Sequence, residues 1–253
     1  MKLLILFFLT LTVFRANSNN KHGQEALGNS PEITYVESSG IPNSTKTKIE
    51  TVVSNTENKL RFFFPDIPTK IIYKVEFVDW DLTIVGGVTG MAITHNPMGE
   101  IHIKISKTYL DGIDIAVKQG LPSTLIHELH HLQRGWSIEQ NEFPKGIAIA
   151  AVNEGLAVVF AELLTGESFD ANVGPKDVDS WVHEIIELPA DANYQHWVSG
   201  QHPDGRLAIG YKVGRHIVYK ALNNSSLGII QLNSLSPEEI LKLAGYAHPC
   251  SEN

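Results

Sequence analysis

The 253-residue sequence predicts an α+β fold: a small, mixed N-terminal β-sheet with an edge strand, followed by a mainly helical half. Three observations predict it. Apolar residues alternate over residues 70–80 and 101–105, the period of half-buried strands. From Leu121 onward they recur at helical spacing, in runs punctuated by glycine and proline. A hydrophobic fraction of 43% with 19% charged residues describes a globular chain, long enough for one well-packed domain.

Taken in order, Lys2 precedes Leu3–Phe14 (LLILFFLTLTVF), an apolar run broken only by two threonines. It falls short of the roughly 20 residues that span a bilayer and suits the core of a secretory signal peptide, with Ala16 and Ser18 placing cleavage after Ser18. An uncleaved membrane anchor is the alternative. Residues 19–45, rich in Asn, Ser, Gly, Lys and Glu, read as a linker or loose N-terminal arm, and 46–253 as one folded domain.

Within that domain Ile49, Val52, Val53, Thr56 and Leu60 mark a helix from Lys46 to Phe63, stopped by Pro65 and Pro68. KIIYKVEFVDW at 70–80 reads as a strand, followed by a loop with Gly86, Gly87 and Gly90 and a further strand near Met91–Thr94. Asn96-Pro97-Met98-Gly99 reads as a turn. The strict alternation of Ile101, Ile103 and Ile105 puts His102 and Lys104 on an open face. Helices are expected from Pro122 to near Gly135, from about Lys145 to Leu164, from Asp177 to Glu187 and from Arg206 to Leu222. A last short helix is capped by Ser236. Nothing beyond the leader reads as long and apolar enough to cross a membrane.

The formal charge of −8, which becomes −10 once Lys2 and Arg15 leave with the leader, gives no general attraction to nucleic acid or anionic lipid. A single cysteine, Cys250, excludes intramolecular disulfides.

Residues 127–131 read HELHH, a match to H-E-x-x-H. On a helix His127 and His131 project about 40° apart and can share one zinc ion, while Glu128 reaches a water on that ion without displacing it. A third ligand is needed. In IAIAAVNEGLAVVF (147–160) only Asn153 and Glu154 are polar. An unpaired carboxylate on so apolar a helix costs several kcal/mol, and a metal resolves that conflict. Glu154 is therefore the candidate, with Glu162, nearer the helix end, as competitor. Three protein ligands leave a fourth position open, the arrangement of catalytic zinc. Arg134 lies within about 60° of both histidines in helical projection, either as an oxyanion donor or as a cation at the helix C-terminus. His130 projects to the other side of His127 and reads as a surface or outer-layer residue.

HELHH followed by NEGLA resembles the gluzincin type of metallopeptidase, which pairs HExxH with a downstream glutamate. More narrowly the chain resembles the DUF2268 family of predicted zinc-dependent proteases. The resemblance covers roughly residues 70–222 and is carried by HELHHLQR at 127–134, NEGLA at 153–157 and GYKVG at 210–214. It implies a zincin-like domain that binds one Zn2+ through His127, His131 and Glu154, uses Glu128 as general base and acts on a peptide or protein substrate. It also implies that Tyr211 faces the site, where it competes with Arg134 for the oxyanion role ahead of His216 and His202. In related peptidases an edge strand pairs with the extended substrate. Glu100–Ser106 is the candidate, although an ordinary sheet strand reads equally well there. The alternatives are a catalytically silent zinc-containing protein that binds peptides, and a structural zinc site in an envelope or stress protein. The intact Glu128 speaks against the first, and the open position without nearby cysteine against the second.

Overall fold

The computed structural model describes residues 31–36 and 40–246; the expected leader, most of the expected arm and Cys250 lie outside them. Four strands, β1 (Glu32–Val36), β2 (Ile71–Val78), β3 (Val88–Thr94) and β4 (Gly99–Ser106), form one sheet in the order β1-β2-β4-β3. β1 and β4 run parallel to β2, and β3 runs antiparallel to β4. The alternation works as expected. Tyr73, Val75, Ile101, Ile103 and Ile105 are fully buried beneath α1 (Asn43–Phe63) and α3 (Leu121–Arg134), while His102 and Lys104 stand half-exposed on the opposite face. There Glu100 Oε1 accepts from Lys74 Nζ at 2.7 Å and pairs with His102 Nε2 at 2.6 Å.

Two expectations change. Glu100–Ser106 is not an edge strand: β4 is paired on both sides, and the edge beside the helical half is β3. Strict alternation reports that one face is buried and carries no information on lateral neighbours. Within the expected loose arm, Glu32–Val36 forms β1, with Ile33 and Tyr35 packed against the core. A five-residue strand whose parallel partner lies far along the chain has no hairpin turn to announce it.

The helical half begins with α2 (Ile113–Ile115), which runs through a π turn, Ala116–Gly120, into α3. It continues with α4 (Ile147–Thr165), α5 (Val178–Ile186), a π turn at Gln195–Ser199, α6 (Ile209–Asn224), α7 (Ile229–Leu232) and α8 (Pro237–Leu243). Helix ends follow the expected signals. Gly135 and Gly166 terminate α3 and α4 in the left-handed conformation, and Ser236 Oγ accepts from the Glu239 N–H at 3.2 Å in a capping box.

α4 corrects a third expectation, because by length and apolarity it would serve to cross a membrane. Here 89% of that stretch is buried within the protein, so its all-round apolarity is that of a core helix. Phe160 and Ala161 join the sheet-side core, whereas Val152, Leu156 and Val159 join a second core with α5, α6 and α8. The crossing with α6 is close. A Cβ at Gly214 would lie 1.8 Å from Ala151 O, and one at Gly155 would lie 2.1 Å from Gly214 C. The two glycines therefore set how near the α4 backbone comes to the α6 backbone. Gly214→Ala should destabilise the protein by about 3 kcal/mol or more, since rigid backbone must move. Urea unfolding followed by circular dichroism measures it, and a loss below about 1 kcal/mol would show that the crossing has slack.

Candidate metal centre

α3 turns Leu125, Leu129 and Leu132 into the sheet-side core, which leaves His127 and His131 one turn apart on the face towards α4. Their Nε2 atoms approach to 2.9 Å. Glu154, one residue before the Gly155 crossing, brings its Oε2 to 3.1 Å from each of them. The carboxylate's other oxygen is held separately: Oε1 accepts from Trp136 Nε1 and from Tyr194 OH, both at 3.0 Å. One oxygen is thus fixed by two donors while its twin completes a triangle with two ring nitrogens.

That triangle fits zinc. Bonds of about 2.0–2.1 Å in a tetrahedron place ligand atoms roughly 3.3 Å apart, close to the spacing here. Two imidazoles and one carboxylate, without cysteine, are the ligand set of catalytic zinc. Among the described residues this is the one group of three or more His, Cys, Asp or Glu whose ligand atoms cluster within 4.8 Å. Burial opposes the charge on Glu154, but the charges and hydrogen bonds of His131 and His127 outweigh it and hold the carboxyl well below the usual carboxylate range.

Glu128 meets a different environment. Burial pushes its carboxyl up to about 7, reinforced by the charge on Glu154 and opposed by His127 and by the Ala92 N–H, which donates to it. It lies against the edge strand, where Gly90 makes room: a Cβ there would sit 2.6 Å from Glu128 Cγ. Tyr211 stacks on the His127 ring, with centroids 5.9 Å apart and planes inclined by 20°. Burial, and then the charge on Glu154, hold its hydroxyl well above the ordinary tyrosine range, so it stays a donor. Thr89, Gly90, Thr124, His127, Glu128 and Tyr211 all line one cleft of about 180 Å³.

The remaining candidates lie elsewhere. Arg134 does not face the cleft. Its Nε donates to Asn153 Oδ1 at 2.6 Å, its Nη2 to Leu235 O at 2.9 Å and its Nη1 to Asn233 O. Helical projection placed its Cα correctly, but a buried guanidinium needs several acceptors, and the turn between α7 and α8 supplies them. His130 is fully buried among Phe64, Phe160 and His131 and is not a surface residue. Glu162 is buried rather than solvated at the helix end. It accepts from Arg215 Nε and Tyr219 OH at 2.9 Å and from Ser168 Oγ at 2.7 Å, so it answers a cation on α6 and not the histidines. His216 pairs with Asp179 at 2.9 Å and His202 with Asp204 at 2.9 Å, and neither lines the cleft.

Sequence reasoning missed Trp136, Tyr194 and Gly90. Trp136 follows the Gly135 stop directly, and an indole N–H drawn inward wants an acceptor, which was a usable signal. Tyr194 reaches Glu154 across 40 residues of chain from the start of the π turn at Gln195–Ser199, with no local signature. Partners of this kind orient a ligand, and their loss costs 10–100-fold in metal affinity by general experience. Trp136→Phe and Tyr194→Phe should each weaken zinc binding by roughly tenfold or more in a chelator competition with the fold intact. Glu154→Ala should remove stoichiometric zinc altogether, and unchanged metal content by elemental analysis would exclude Glu154 as a ligand.

A family model described as predicted Zn-dependent protease (DUF2268) matches residues 90–242, from β3 through α8. No curated protein and no solved structure matches the chain. The matched region holds the whole cluster and more than half of the sequence, and the chain belongs to the DUF2268 family of predicted zinc-dependent proteases.

Proposed function

We propose that the protein is an exported zinc metallopeptidase that hydrolyses peptide bonds, with His127, His131 and Glu154 as zinc ligands and Glu128 as general base. The observation that carries it is the position of a buried carboxyl with an ordinary partner, the Ala92 N–H, immediately beside a three-ligand cluster whose own carboxylate is fully engaged. A bound zinc ion would supply Lewis acidity, acidifying water and polarising the scissile carbonyl. Glu128 then takes a proton from the attacking water and returns it to the leaving amine, a role suited to a carboxyl whose pKa lies near neutrality. Tyr211 donates to the carbonyl oxygen as negative charge develops there. β3 offers the substrate a backbone to pair with. From Ala92 onward it is already taken, with Ala92 O and Ile93 O accepting from the Ile138 and Glu139 N–H groups at 3.0 Å, so docking falls to the residues before Ala92. Export rests on Lys2 and the Leu3–Phe14 run, and places the enzyme in a periplasmic or extracellular setting.

Glu128→Gln should keep stoichiometric zinc and lose peptide hydrolysis by a factor of roughly a hundred or more. Cleavage at the wild-type rate would remove Glu128 from the mechanism. The same variant also tests the buried carboxyl. A folded-state pKa of about 7 against the ordinary 4.5 means that the folded zinc-free protein binds the proton more tightly than the unfolded chain. Its stability therefore falls as pH rises from about 4.5 to about 7, by ~3 kcal/mol in order of magnitude. Neutral glutamine removes that loss. The zinc-free variant should melt above zinc-free wild type at pH 8, and the gap should close below about pH 4.

A further inference from the structure

The cleft beside Glu128 continues past the metal ligands along α3, and its far wall comes from two loops that no motif marks. One precedes β3 and carries Ile84 and Val85, with Val88 opening β3 beside it; the other links α4 to α5 and carries Phe169 and Ala171. The Ala171 N–H donates to Ile84 O at 3.0 Å, so the loops form one wall. The Phe169 ring lies on Gly86, which has φ +73° and whose Cβ would meet Phe169 Cε1 at 2.3 Å. Only a glycine meets both conditions, and the ring is thereby given a fixed seat. Val88 and Ala171 are almost fully buried behind it, while Ile84 is 47% exposed at the mouth.

We propose that this wall selects an uncharged, apolar side chain at a position flanking the cleaved bond, and that Phe169 and Ile84 set the choice. The inference rests on the peptidase reading and adds the substrate class. Among the residues lining the cleft the titratable ones, His127, Glu128 and Tyr211, all belong to the reacting end, and the other polar ones, such as Thr89, Asn172 and Ser199, carry no charge. The hydroxyl of Thr124 already donates to Val88 O at 3.3 Å. A charged side chain entering against this wall would lose water and meet no opposite charge, whereas an apolar one exchanges water for Phe169, Val85 and Val88.

The test is a digest of a mixed-peptide library by the zinc-loaded full-length protein, with cut sites read by mass spectrometry. Leu, Ile, Met or Phe should occupy one fixed position next to the cut, with Asp, Glu, Lys and Arg there at least about tenfold depleted. Ile84→Arg, at the exposed mouth, should raise acceptance of Asp and Glu at that same position by about tenfold, and Phe169→Ala should shift preference towards larger rings. Charged and apolar residues cut equally at both flanking positions, or an unchanged profile for Ile84→Arg, would overturn the inference. Should wild type cut nothing, the peptidase reading falls first. Calorimetry of apolar and charged hexapeptides on Glu128→Gln then decides the pocket by itself: a tenfold apolar preference upholds it, and equal affinity ends it.

Discussion

One carboxylate oxygen, Glu154 Oε2, sits at equal distance from two imidazole nitrogens inside the protein, and the rest of the helical half is arranged so that it can. An ionised carboxyl removed from water costs several kcal/mol unless its charge is answered and its lone pairs are used. Here Oε1 has the indole of Trp136 and the hydroxyl of Tyr194, and Oε2 has the two histidines. The histidines face inward because the opposite side of α3 is a leucine stripe that the sheet buries. Without the cation that the ligand set calls for, three electron-rich atoms would crowd one another. Without Trp136 and Tyr194, the carboxylate would be free to turn both oxygens towards the imidazoles.

The glycine crossing supplies the rigidity. α4 belongs to both cores, so a shift of α4 would have to repack Phe160 against the sheet and Val152, Leu156 and Val159 against α5, α6 and α8 together. Contact between the backbones at Gly155 and Gly214 removes sliding along the other axis. The same contact brings Tyr211, three residues before Gly214, over the ring of His127. Placing a candidate ligand and a prospective donor through one helix pair ties the site's precision to packing instead of to loop conformation.

The legible parts were those whose period or polarity is local. HELHH places two imidazoles on one helical face by spacing alone, and Glu154 stood out because so little else on its helix is polar. The parts that failed depend on what lies across from a residue. Arg134 was correct in azimuth, yet its long side chain could as easily reach Asn153 and the carbonyl of Leu235, and buried acceptors decided the matter. The alternation at Glu100–Ser106 identified a strand with one buried face but could not rank it against β3, whose glycine and threonines blur the pattern of what is the true edge. β1 pairs in parallel with residues 40 positions on, and Tyr194 meets Glu154 at the same remove. Period analysis does not see such distances.

Two buried carboxyls on neighbouring helices, both feeling the charge of His127, are driven in opposite directions. Glu154 faces His131 and His127, whose charges and hydrogen bonds outweigh its burial and hold its carboxyl well below the usual carboxylate range. Glu128 sits one residue from His127, but the backbone turns it towards β3, where a single N–H and the missing side chain of Gly90 leave it mostly desolvated and close to neutrality in affinity for a proton. The separation needs no special residue, because it follows from adjacent positions on a helix pointing to different neighbours. Neighbouring positions in HELHH gain different surroundings from the helix's 100° step. One position is thereby given to a cluster of charge and the other to the wall of a strand.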